Sequence, residues 1–105
     1  MTWQDRIVKA HTSVTDQVSH FHRLNSDRYF VWQEDGSNDL SANGSHVERC
    51  MTGTTDLYTK QEFDPLVEML GASLSRYGIA WQMLSVQYEN ETGFFHYEWS
   101  WEVPY

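Results

Sequence analysis

Cysteine, proline, basic residues and long apolar runs are all scarce in this 105-residue chain, and each shortage excludes something. Cys50 is the only cysteine, so no intrachain disulfide can form, and a reducing compartment is expected. Lys and Arg number 7 against 15 Asp and Glu, a formal net charge of −8 with the five histidines neutral. That balance argues against general nucleic-acid binding, which depends on basic side chains neutralising phosphates. It also argues against an anionic membrane surface as partner. No apolar run approaches a membrane span. Met1-Thr2-Trp3-Gln4-Asp5 lacks a basic stretch followed by an apolar one, so no secretory signal is expected. Without such a signal the sequons at Asn43 and Asn90 carry no weight.

Signatures of chemistry are missing too. His20 and His22 are two apart and cannot share a helix face, and no Cys-x-x-Cys or His-Glu-x-x-His appears. Cys50 falls inside a predicted strand, where a small buried hydrophobe is expected rather than a thiolate. There is no Gly-x-Ser-x-Gly elbow and no phosphate-cradling glycine loop. Glu98 and Glu102 share one face of a predicted strand, but strand residues four apart lie roughly 13 Å from each other. That is too far for two-carboxylate acid–base work. The expectation is a protein with no cofactor, no metal and no enzymatic activity.

What is abundant is apolar and aromatic: 40% hydrophobic residues and 15% aromatic ones, enough for one core in a single domain over residues 1–105. Residues 79–103 read as a long antiparallel hairpin broken at Asn90-Glu91-Thr92-Gly93. In its second run Phe95, Tyr97, Trp99, Trp101 and Val103 fall on one face. His96, Glu98, Ser100 and Glu102 fall on the other, because strand side chains alternate. Trp3, Ile7, Ala10, Val14, Val18 and Phe21 recur at helical steps and predict an amphipathic helix over residues 3–22. Residues 28–34 predict a strand, 35–45 a mobile polar loop, and 46–59 a second strand with a bend at Gly53. Asp64-Pro65 opens a second helix and Gly78 closes it. The order α-β-β-α-β-β predicts an α+β domain, two helices packed on an antiparallel sheet that ends in a long β-hairpin.

Trp32, Trp81, Trp99 and Trp101 with Tyr29, Tyr88 and Tyr97 exceed what two short helices must cover, which points to a protein–protein interface. The acidic balance fits a wall that repels DNA, or an imitation of DNA that occupies a DNA-binding protein.

The strings GTTDLYTK (53–60), EFDP (62–65), SVQYENETG (85–93) and FHYEWSWEV (95–103), with YFVWQEDG (29–36), resemble small tail terminator or tail-completion proteins of tailed phages and prophages of Gram-positive bacteria. The resemblance implies an α+β subunit that forms a ring, commonly of six, at the end of the tail tube. There the ring stops tube growth and offers a platform to the head-completion or connector protein. DNA passes through without specific binding, no membrane is involved, and the protein resides in the virion tail after assembly in the host cytoplasm. Candidate interface residues on this reading are Trp32, Glu34, Asp35, Asp39 and Leu40, with Glu98, Ser100 and Glu102 on the last strand. The alternative is an acidic DNA-mimic inhibitor of a host nuclease or DNA-binding protein.

Overall fold

In the computed structural model the backbone is described for residues 1–42 and 46–105, and side chains for 1–37 and 49–105. The first helix, α1, spans Trp3–Thr12. Thr2 caps it: its hydroxyl accepts from the Asp5 N–H at 3.1 Å, and the Asp5 carboxylate accepts from the Thr2 N–H at 3.3 Å. The sequence pattern predicts a helix reaching His22, and the structure ends it ten residues earlier. Thr12, Ser13 and Thr15 supply the reason. The Thr12 and Ser13 hydroxyls bond back to the Val8 and Ala10 carbonyls, and the Thr15 hydroxyl accepts from the Gln17 N–H. Such side chains offer the backbone an alternative to continued helix. Val18–His20 then forms a short strand, β1. Val14 and Val18 still pack against the core, so the apolar period is met by a helix, a turn and a strand.

β2 spans Arg28–Ala42 and β3 His46–Thr59, paired antiparallel along nearly their whole length. The polar stretch expected to be a mobile loop is therefore mostly strand, kinked by a bulge at Asp35 between Glu34 and Gly36. Period-two arguments miss such a strand because its side chains show no apolar alternation. The rest of that expectation, residues 43–45, lies outside the described residues. α2 covers Leu66–Arg76, and Gly78 follows it at φ 72°, as its place after the helix predicts. β4 (Ala80–Glu89) and β5 (Phe94–Pro104) form the predicted hairpin.

The sheet order is β1-β2-β3-β5-β4, antiparallel except where β1 runs parallel to β2. The α+β class is as the sequence predicts, with five strands where the pattern showed four. Both helices lie on one face. Ile7, Ala10, Leu66, Leu70 and Leu74 pack there on Phe30, Leu57, Trp99, Trp101 and Val103. Tyr29, Val31 and Tyr58 form a smaller cluster on the other face, covered by Leu24 and Phe94.

His11 is fully buried beneath α1, its Nδ1 2.7 Å from the Ile7 carbonyl and its Nε2 2.9 Å from the Thr55 hydroxyl. The Trp101 indole N–H donates to the same hydroxyl at 3.0 Å. Burial lowers the His11 pKa from 6.5 to about 4. The unfolded chain thus binds a proton that the folded chain refuses between pH 6.5 and 4. Stability is full above pH 6.5 and falls as pH drops through that window, by on the order of 3 kcal/mol at its lower end. Denaturant melts from pH 7 to 4.5 should show the fall, and His11→Leu should flatten it. An equal slope in both proteins would remove His11 as the cause.

Candidate interaction surface

β4 forms one border of the sheet, pairing with β5 and, among the described residues, with nothing on its other side. Trp81, Leu84, Val86 and Tyr88 are 40%, 50%, 53% and 53% exposed, an unusual row of large apolar groups on an edge. Leu84 is the extra residue of a bulge between Met83 and Ser85. α2 covers only the start of the strand, where the Trp81 ring lies over Gly71 and its N–H reaches Ser75 at 2.8 Å.

Beside the cluster of Tyr29, Val31 and Tyr58, the sheet face away from the helices is polar and carries several carboxylates. His96 and Asp56 bond at 2.7 Å, and Glu89 lies 4.0 Å from the other ring nitrogen. The Asp56 hydrogen bond, with the charges of Glu89 and Glu98, raises the His96 pKa although burial opposes it. Its stabilising contribution is full below pH 6.5 and lost as pH rises through the raised value, opposite in sign to that of His11. The His96 ring stacks on Tyr58 at 4.4 Å, and Arg23 sits 4.5 Å from the centre of that Tyr58 ring. Further along, Glu98, Ser100 and Glu102 stand opposite Asp56, Thr54 and Thr52. Asp35 projects from the bulge of β2 and accepts from the Thr52 hydroxyl at 2.6 Å. A shallow cleft of about 410 Å³ joins Asp35, Thr52, Gln82, Ser100 and Glu102 over the gap left by Gly53.

The structure thus brings three of the sequence-derived candidates, Asp35, Ser100 and Glu102, into one cleft, with Glu98 further along the same face. Glu34 is elsewhere. It turns to the helix side and bonds His20 at 2.6 Å, which holds its carboxyl below the usual range. Trp32 is core rather than surface: 5% exposed, stacked on His20 at 3.9 Å and beside Trp101. Its neighbours Tyr29, Phe30 and Val31 are buried as well, because both faces of β2 are covered there, as apolar residues of both parities predict. Asp39 and Leu40 lie in β2, with side chains outside the described residues.

The candidates passed over are Leu84, Val86, Phe63 and Phe21. Phe63 is 87% exposed at φ 54° beside the start of α2, and Phe21 is also exposed, at φ 71°. The adjacent apolar pair Met83-Leu84, which breaks strict alternation, is the signal that marks the β4 bulge. Of the aromatic surplus, Tyr29, Trp32, Tyr97, Trp99 and Trp101 are buried, which leaves Trp81 and Tyr88 for a surface. Among the described residues no group of three or more His, Cys, Asp or Glu could hold a metal ion, and no helix is long and apolar enough to cross a membrane.

No family model and no curated protein matches the chain. Among solved structures, a chain of the virion of a native gene transfer agent (GTA) particle is similar at a TM-score of 0.56 and 10% identity. The match covers 96% of this chain and 89% of that one, which establishes a shared fold. A chain from work on the molecular mechanism of H-NOX activation matches at a TM-score of 0.45 and 8% identity, with 46% of its length covered, and carries no argument.

Proposed function

We propose that this protein is a structural component of a phage-like virion, of the tail-terminator or tail-completion kind, that assembles as a ring on the end of the tail tube. The observation that carries the reading is the near end-to-end likeness in fold to a chain of a gene transfer agent virion. The sequence strings that resemble tail terminators point the same way. The surface supports an assembly role: an open β4 border with apolar side chains, and a polar face carrying Glu89, Glu98 and Glu102. Lining a conduit, that face repels DNA over about a Debye length, roughly 8 Å at physiological salt. The protein has no catalytic part in this reading.

The DNA-mimic alternative has less support. Its carboxylates must stand free in a phosphate-like array, whereas Asp5, Glu34, Asp35, Asp56 and Asp64 are each tied to a partner within the chain.

Polymerising tail-tube protein from the same particle, with and without this protein, tests the proposal. Electron microscopy should show added rings at tube ends and tubes arrested at shorter length. Tubes of unchanged length with bare ends would sink it.

A further inference from the structure

β4 lacks the usual protections of an edge strand. It is ten residues long, contains no proline or lysine, and has one charged residue, Glu89. Natural sheets guard such borders with charge, proline or brevity. Its outward N–H and C=O groups fit one kind of occupant, another strand. The opposite border of the sheet is open as well. β1 covers β2 only at residues 30–32, leaving 33–42 unpaired on that side among the described residues.

We propose that β4 of one subunit pairs antiparallel with this free stretch of β2 in the next copy of the chain, so that one sheet continues from subunit to subunit. The proposal rests on the ring reading above and names the contact that builds the ring.

Three observations select this occupant. The first is direction. β2, β3, β5 and β4 alternate, so β4 runs opposite to β2. Copies rotated about an axis along the strands therefore meet border to border with antiparallel pairing intact, a head-to-tail contact that can close. The second is charge. Residues 33–42 include Glu34, Asp35 and Asp39, so two β2 borders would set like charges together, whereas β4 is almost uncharged. The third is register. Ala80 lies level with Gly36 through Glu102 and Thr52. Laying β4 along residues 33–42 of a neighbour shifts it by about six residues across β2, β3, β5 and β4, a stagger of the kind that closing a sheet requires.

The test joins Asp35→Cys and Gln87→Cys in a Cys50→Ser background, treated with a short bismaleimide. Within one chain the two positions are more than ~20 Å apart, given ~4.8 Å between strands and ~3.3 Å per residue, so the linker can join only different subunits. The expected product is a covalent ladder that ends at the ring size seen by electron microscopy, with neither single variant giving a ladder. Leu84→Lys with Val86→Lys, at exposed positions, should abolish assembly while shifting the monomer's Tm by less than about 3 °C. Rings without a ladder would overturn the β4–β2 contact and leave the ring reading standing. Dimers from Gln87→Cys alone would replace it with a symmetric β4–β4 pair. If neither ring nor ladder forms, at high concentration or on tail tubes, both proposals fall together.

Discussion

Gly53→Ala is expected to cost about 3 kcal/mol of folding stability, at the upper end for overpacking by a single methyl. Gly53 stands on β3 directly opposite Trp101 of β5 and Glu34 of β2. A Cβ built there falls well inside contact distance of both the Trp101 ring and the Gln33 carbonyl oxygen. Neither can give way cheaply. The oxygen belongs to the backbone of a paired strand, and the ring is 1% exposed with its N–H committed to Thr55. Gly71→Ala is the control. Its Cβ would meet the Trp81 ring at 2.7 Å, but that ring lies at the open border and can shift. Alanine in a helix interior gains about 1 kcal/mol over glycine, so a net effect near zero is expected. Urea unfolding of the two variants checks the contrast. A Gly53→Ala loss below about 1 kcal/mol would mean that the sheet yields at the bulge, and the account of a rigid gap fails.

The elements of the fold differ in how far the sequence alone reveals them. The hairpin of β4 and β5 was plain, because Phe95 to Val103 alternate strictly and one face is core throughout. α2 was equally plain from Pro65 and Gly78. Residues 3–22 were not, since Val14 and Val18 fit a helical period while Thr12, Ser13 and Thr15 decide the boundary through hydrogen bonds to the backbone. β2 past Asp35 was hidden for a different reason. A polar stretch has no apolar alternation to report it as strand, and its length is set by pairing with β3. The surface was half legible. Asp35 meets Ser100 and Glu102 in one cleft because strand alternation sets it on the same face as Gln33, and it does so only once residues 35–42 are strand rather than loop. Trp32 shows the converse, since an aromatic surplus in composition cannot say which rings the helices cover.

Asp64 is where sequence reading was right in kind and incomplete in consequence, and Arg28→Ala should reveal the difference. Asp64-Pro65 opens α2 as the sequence predicts: Pro65 stands at the N-cap, and the Asp64 Oδ1 just before it accepts from the Leu66 N–H at 2.9 Å. Its carboxylate is also wholly buried, gripped by Arg28 through Nε at 2.8 Å and a second N–H at 2.5 Å, with Thr59 donating at 2.7 Å. One side chain thereby ties the start of β2, the end of β3 and the start of α2. Burial alone would raise its pKa, but the bonds from Arg28, Leu66 and Thr59 together outweigh burial and lower it. Removing the guanidinium leaves a buried carboxylate with neutral donors only. The expected loss is about 2–3 kcal/mol at pH 7, below the range for fully buried pairs because Arg28 is partly exposed. Arg28→Lys should recover only part, since an ammonium cannot grip both oxygens at once. The pH dependence separates a lost charge pair from lost packing. In the wild type Asp64 stabilises the fold above pH 4, and that contribution disappears as pH falls through its lowered pKa. In Arg28→Ala the carboxyl titrates higher, so the deficit relative to wild type should shrink as pH falls from 7 to 4.5. His11 acts alike in both proteins and cancels from the difference. A deficit that stays constant over that range would show that Arg28 acts through packing, and that the buried charge never needed it.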